Sequence, residues 1–236
     1  MSSWGHYWET NPKLFRKVME KSTEFVAEKL ESNQLINLST NLLDFGCGPG
    51  YLANALKGKI NSYYGVDISS TYIEIAKDKC TEYPNFFFRE FPLAFSIKSL
   101  TVLKQEGKQF DTIIILSVIQ YFEKKDDVIE LLENCKLLLK EGGKILLADI
   151  IESEKGLWKD VISILLHSIK RGYLLSFIQF LFRATQSKYN SLRKMHALFM
   201  LSKEEVFEIA QQLKLKVTIL PCITVQRSRI SYCLNS

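Results

Sequence analysis

Apolar and polar positions along this chain fall into blocks of two different periods. Leu14, Phe15, Val18, Met19, Phe25, Val26 and Leu30 recur at helical spacing, so residues 10–31 read as an amphipathic helix. Asn11 suits its N-cap and Pro12 its first turn. A polar connector covers 33–41. Short apolar runs then alternate with segments of helix length. Residues 42–45, 62–68, 85–91, 110–119 and 144–151 read as strands, and the β-branched run in "FDTIIILSVI" suits a strand covered on both faces. Phe86–Phe88 are expected to face the core. Helices are predicted from Tyr51, from Thr71 (with Glu74 as a capping box), and over Asp126–Leu139, the last stopped by Gly142-Gly143. A polar–apolar connector with a short helix fills 92–109. Ser202 and Glu205 form a second capping box, opening a helix to about Leu213. "KVTILPC" and "RISYCL" close the chain as strands.

Strands alternating with helices predict a parallel sheet with helices on both faces. In such sheets a ligand sits beyond the carboxyl ends of the strands. Residues 152–200 break the alternation and read as two or three inserted helices. Their apolar stretches, "VISILLHSI" and "YLLSFIQFLF", are split by Lys170-Arg171, and each is shorter than the roughly 18–20 residues of a membrane span. From Lys155 to Lys203 there are nine Lys or Arg and one acid, Asp160. That segment carries +8, the remainder −3. Three uses fit it: an acceptor pocket for a hydrophobic or anionic small molecule, a cap resting on a membrane surface, or an interface with an acidic carrier protein or RNA. An ordinary solvated helix face is the plain alternative.

Composition adds little. With 236 residues, 47% hydrophobic and 24% charged, the chain has the make-up of one large soluble domain. Five scattered cysteines with no CxxC pair argue against a disulfide framework and a structural zinc site, and favour a reducing, cytoplasmic setting. "MSSWGHYWETNPK" lacks the basic-then-apolar pattern of a signal peptide.

The chemistry concentrates in "LLDFGCGPGYL", residues 42–52. Gly46, Gly48 and Gly50 form a turn directly after a strand. A dinucleotide fingerprint would need a glycine where Tyr51 stands, and a P-loop would need a following Gly-Lys-Ser/Thr. Asp67, at the end of the second strand, suits the two hydroxyls of a ribose. Both nicotinamide and S-adenosylmethionine sites use such an acid, so it leaves the cofactor open.

"LLDFGCGPG", "YYGVDIS", "FDTIIILSVIQYF" and "LLLKEGGKILLADI", in that order, resemble the successive motifs of class I S-adenosylmethionine-dependent methyltransferases. The resemblance covers about residues 42–151 closely, and 202–234 is similar to the family's terminal unit. It implies a Rossmann-like methyltransferase fold: α/β, a seven-stranded, mostly parallel sheet with helices on both faces and an antiparallel last strand. The whole chain, 1–236, would be one domain, with an N-terminal helical lid (1–34) and a helical cap insertion (152–200). The cofactor would be S-adenosyl-L-methionine. Asp44 would meet its ammonium, and Gly46, Cys47, Gly48 and Gly50 would pass beneath it. Asp67 would hold the ribose, with Ile68 against the adenine. Glu90, with Phe91 beside it, matches the acid that meets the adenine amino group, although the family more often has Asp there. Ser117 and Val118 match backbone positions near the methionine moiety.

Methyl transfer from a sulfonium needs alignment and a dry site more than a strong acid. A base matters where the accepting atom carries a proton. His6, His167 and His196 are candidates, each also readable as a structural histidine. His196 leads, because the segment before the last helix often lines the acceptor pocket in similar enzymes. Tyr7 is a candidate lid residue, with Trp4 and Trp8 excluding water. Tyr121 lies just past the fourth strand, within reach of the methyl or the acceptor. "LSVIQYF" replaces the Asn-Pro-Pro-Tyr of base N-methylases, which disfavours nucleic acid as substrate. Pro221-Cys222 lies at the sixth strand, whereas cytosine-C5 methylases carry that pair after the fourth. The expected function is O- or N-methylation of a small molecule. The alternatives are a methylase of RNA, carrier protein or lipid using the basic cap, and a cofactor-binding homologue without activity. A dimer through the cap is a further expectation.

Overall fold

The computed structural model describes residues 16–91, 99–153, 156–186 and 198–235. Helix α1 (Arg16–Ser32) precedes β1 (Asn41–Phe45), α2 (Tyr51–Ala55), β2 (Ser62–Asp67), α3 (Ser70–Lys79), β3 (Phe86–Glu90) and α4 (Leu100–Gln105). There follow β4 (Phe110–Leu116), a 3₁₀ turn (Ile119–Tyr121), α5 (Lys125–Leu137) and β5 (Leu139–Ile150). Helices α6 (Leu157–Lys170) and α7 (Leu174–Gln186) form the insertion. Helix α8 (Lys203–Gln212), β6 (Lys216–Ile219) and β7 (Ile230–Asn235) finish the described chain.

The strands form one sheet in the order β3-β2-β1-β4-β5-β7-β6. Pairing is parallel from β3 through β5, and β7 runs antiparallel to both β5 and β6. This is the seven-stranded Rossmann-like arrangement expected from sequence. The order reverses between β1 and β4, so their carboxyl ends diverge into a crevice, and the glycine turn leaves β1 at that point.

Ile113, Ile114 and Ile115 are all fully buried, which explains the unbroken β-branched run. Ile113 and Ile115 pack with Leu43, Leu147 and Leu234 under α5 and α8, while Ile114 packs with Leu42 and Leu146 under α1 and α2. Burying each such side chain contributes roughly 1.5–3 kcal/mol.

Several boundaries differ from the sequence expectation. Ser69, not Thr71, caps α3, its Oγ accepting from the amide of Tyr72 at 3.2 Å. Gly142-Gly143 do not stop the preceding helix. They lie inside β5, in a bulge between the pairs Phe110↔Leu139 and Thr112↔Lys144. Lys140 ties the bulge to β4 through Asp111 at 2.9 Å. Phe86 is buried, but Phe87 is exposed, because a strand alternates its faces. The Ser202–Glu205 capping box forms as expected. Helix α1 is described only from Arg16, so Asn11 and Pro12 lie outside the described residues.

The insertion stands on α1. Phe177 and Tyr173 pack with Val18, and Arg171 pairs with Glu28.

Candidate cofactor site and the polar cluster at the strand ends

Asp44 sits near the end of β1, 2% exposed. The Tyr63 hydroxyl donates to its Oδ2, while its Oδ1 is buried without a hydrogen-bond partner. Burial pushes its pKa up to about 7. The Tyr63 hydrogen bond opposes that rise and the charge of Asp67 adds to it. A buried carboxylate oxygen with no partner suits a cation.

The glycine turn folds back over β2. The amides of Gly46 and Cys47 both donate to the Val66 carbonyl, at 2.8 and 3.0 Å. Gly46 has φ +82°, and a Cβ there would lie 2.4 Å from Val118 Cγ2. Only glycine lets the turn after β1 approach the turn after β4 so closely. Gly48, at φ +52°, faces open space. Its amide donates to Asp67 Oδ2 at 2.8 Å, and the Ser69 amide donates to Asp67 Oδ1 at 2.9 Å. Both carboxylate oxygens are thereby fixed, each with a further lone pair to offer. Burial raises the Asp67 pKa, against the amide donations of Ser69, Gly48 and Ile68. Gly50 opens α2, and Lys79 holds the turn by donating to the Pro49 carbonyl at 2.8 Å. Cys47 is buried, and burial, with the charges of Asp67 and Asp44, keeps its thiol protonated.

Ile68 is half-buried beside Asp67. Glu90 is exposed at the end of β3, in register with Asp67. The Phe91 amide donates to the Asp67 carbonyl at 2.8 Å, and its ring is buried in the core near Leu100 and Leu103.

A second cluster lies at the ends of β4 and β5. Ser117 has φ +58° and Asp149 φ +67°. Ser117 Oγ donates to Asp149 Oδ2 at 2.7 Å. Arg229 Nε lies 3.9 Å from Asp149 Oδ1 and donates to Asp160 Oδ2, on α6, at 2.9 Å. The Ser228 amide donates to Asp160 Oδ1 at 3.0 Å. Burial raises the Asp149 pKa, countered by Arg229 and Ser117 and reinforced by Asp160. Asp149 Oδ1, Arg229 Nη1 and Gln120 Oε1 are buried without hydrogen-bond partners. Gln120 stands three residues after Ser117, and its carbonyl accepts from the Phe199 amide at 3.0 Å.

Val118 and Tyr121 are half-buried in the turn after β4. His167 packs instead on α1. Its ring meets Phe25 edge-on at 5.3 Å and its Nδ1 shares a 2.6 Å hydrogen bond with the Tyr173 hydroxyl. Burial lowers its pKa. The contacts His167 makes run to α1 and the start of α7, not to the strand ends. His6, Tyr7, Trp4, Trp8 and His196 lie outside the described residues.

Residues 43–145, spanning the glycine turn and five strands, match the family model described as a methyltransferase domain. The fold matches magnesium protoporphyrin IX methyltransferase of Synechocystis with bound S-adenosylhomocysteine. The TM-score is 0.56 at 17% identity, covering 94% of this chain and 84% of that one. Residues 43–145 thus match a methyltransferase domain, and the fold around them is one shared with S-adenosylmethionine-dependent methyltransferases. A possible histamine N-methyltransferase from Thermotoga maritima shares this methyltransferase fold, with a TM-score of 0.58 at 16% identity over 98% of each chain. The ubiquinone biosynthesis O-methyltransferase of Coxiella burnetii is 26% identical over 122 residues, 52% of this chain and 48% of that protein. The chain thus spans about half the length of that relative.

The residues present at the glycine turn fit S-adenosylmethionine. The unpartnered Asp44 Oδ1 suits an ammonium, the Asp67 oxygens suit two ribose hydroxyls, and Gly48 leaves room above the turn.

Sequence reasoning missed Tyr63, Gln120, Asp149, Asp160 and Arg229 as parts of these sites. Only Asp149 left a clear signal: a charge inside the apolar strand run "KILLADII".

Proposed function

We propose that this chain methylates an oxygen or nitrogen of a small-molecule acceptor held over the ends of β4 and β5. The observation that carries this reading is the trio of buried polar atoms without hydrogen-bond partners, Gln120 Oε1, Asp149 Oδ1 and Arg229 Nη1, beside Ser117 and Val118. Buried polar groups left this way are costly unless a ligand completes them. The similarity to a protein named as a ubiquinone biosynthesis O-methyltransferase supports a small acceptor with a hydroxyl group.

When bound, S-adenosylmethionine supplies a methyl on a sulfonium, which leaves as a neutral thioether. Asp44 and Asp67 hold the two ends of that donor. Val118, packed against Gly46, fixes the spacing between the donor floor and the strand ends. Asp149 is placed to accept a proton from an acceptor hydroxyl, with Ser117 holding one carboxylate oxygen and Arg229 balancing its charge. His196 and Tyr7 remain candidate acceptor-side groups within this proposal, and Tyr121 borders the same edge. The N-terminal segment and the 152–200 insertion act as lid and cap in this reading.

The test is turnover of S-adenosylmethionine to S-adenosylhomocysteine with a panel of catechols, phenols and amines. Expected is product with at least one hydroxyl acceptor. Tight cofactor binding with no product from any small acceptor would rule the reading out.

A further inference from the structure

Helix α6 is apolar on two faces: Val161, Ile164 and Leu165 pack with Tyr173, Phe177 and Val18, and a second apolar stripe points outward. Its inward face buries Asp160, Ser163 and Ser168. Its outward face carries Trp158, Ile162 and Leu166, a stripe at i, i+4 and i+8, with Trp158 80% exposed. Helix α7 extends the patch with Leu175, Ile178 and Phe182, of which Leu175 is 77% exposed. Scattered exposed hydrophobics are ordinary, but a contiguous apolar face on two adjacent helices marks a contact surface. The orientation is fixed from below: Asp160 is held by Arg229 and the Ser228 amide, and Ser163 Oγ accepts from the Arg227 amide at 3.4 Å. The helix cannot roll its outward stripe inward without breaking those bonds and the packing of Val161, Ile164 and Leu165.

The charge around the patch selects the occupant. Lys159 and Lys170 are exposed beside it, while Arg171, also exposed, is paired with Glu28. Within α6 and α7 the one acid is Asp160, which is buried. A second copy presenting the same face would set these cations against each other. An apolar stripe flanked by cations matches the acyl boundary and headgroups of an anionic bilayer. No helix among the described residues is long and apolar enough to cross a membrane, so the contact is peripheral.

We propose that the α6–α7 hairpin seats this protein on an anionic membrane surface, Trp158 and the Ile162–Leu166 stripe entering the interface. The inference stands independently of the acceptor's identity.

The test uses the full chain with Trp4→Phe and Trp8→Phe, which leave Trp158 as the only tryptophan. Vesicles of phosphatidylglycerol with phosphatidylcholine are compared with phosphatidylcholine alone. Expected are co-sedimentation with the anionic vesicles, a blue shift of Trp158 emission, and weakening in high salt. Ile162→Glu with Leu166→Glu should cut vesicle affinity by about tenfold or more, with cofactor affinity unchanged. Because both positions are exposed, the variant should fold. Lys159→Glu with Lys170→Glu gives an independent second test and should also weaken anionic binding. No retention on anionic vesicles, equal binding to phosphatidylcholine, or a lipid-free dimer that buries Trp158 would each overturn the proposal. Retained cofactor binding in those experiments keeps the methyltransferase reading separate from this one.

Discussion

Ser117 and Asp149 end adjacent parallel strands, both in the left-handed backbone region, and are joined by a 2.7 Å hydrogen bond. Left-handed backbone at two non-glycine residues costs about 1–3 kcal/mol each unless the surroundings hold it. Asp149 is held by Ser117, Arg229 and the β7 edge. Asp149→Asn keeps shape and the Ser117 contact but cannot take up a proton. We expect kcat to fall about 10²-fold or more with a hydroxyl acceptor, and cofactor affinity to be unchanged. Burial raises the Asp149 pKa, and its ionised form is the active one. Wild-type kcat should therefore decline as pH falls through that raised value, and the variant should lose this limb. An unchanged pH profile in Asp149→Asn would remove Asp149 from the chemistry and leave it a structural role.

Asp44 gives a second pH effect, on binding. Its folded pKa is near 7, and the ammonium of the cofactor favours the anion. Protonation competes with binding, so affinity for S-adenosylmethionine should fall as pH drops below about 7, approaching tenfold per unit, and level off above. The stability sign is opposite. The folded pKa exceeds the unfolded one, so the cofactor-free protein loses stability as pH rises from about 4 to 7. Asp44→Asn should raise the unfolding temperature of the cofactor-free protein above pH 7 and abolish the pH dependence of the weakened binding. Calorimetry and thermal melts across pH read both. A cofactor affinity that is flat from pH 6 to 8 in the wild type would refute the assignment.

Gly46→Ala tests the close approach of the turns after β1 and β4. The new Cβ would collide with the stiff Val118 side chain at 2.4 Å, and φ +82° adds strain of roughly 1–2 kcal/mol. We expect cofactor affinity to drop about tenfold or more. Adding Val118→Ala relieves the collision but not the strain, so rescue should be partial. Full rescue would show that backbone strain does not matter at this turn.

The legible parts of the molecule were those written locally. The run 113–115 announced a doubly covered strand, and the glycines announced the tight turn after β1, because strand period and turn chemistry depend on neighbours in sequence. The misread parts depended on distant neighbours. Gly142-Gly143 looked like a helix stop, yet Leu139 already pairs with Phe110, so the glycines serve a bulge within β5. Ser69 displaced Thr71 as the α3 cap because Asp67, two residues before it, accepts the Ser69 amide and sets the turn. The pairing of Asp149 with Arg229 spans most of the last third of the chain, and no local pattern marks it. Likewise, the apolar stretch of α6 was visible, but the inward placement of Asp160 was not, since that follows from Arg229 and Ser228 holding it.

Arg229 is the joint between the strand ends and the insertion. Its guanidinium faces Asp149 on β5 and Asp160 on α6, both buried. Arg229→Met removes the only cation paired with either carboxylate among the described residues and leaves two buried acids uncompensated. Breaking a buried pair from one side costs about 3–5 kcal/mol. Removing the guanidinium also removes the larger of the two influences that lower the Asp149 pKa, the other being the Ser117 hydrogen bond, so its folded value rises further above the unfolded one. The added penalty is then present at high pH and shrinks as pH falls and Asp149 protonates. Urea melts at pH 8 and pH 5 should therefore show a larger deficit, relative to wild type, at pH 8. Arg229→Lys keeps a charge but not the guanidinium whose Nε lies near both acids, so it should recover part of the loss. A deficit that is equal at both pH values would mean that Arg229 acts by packing rather than by charge.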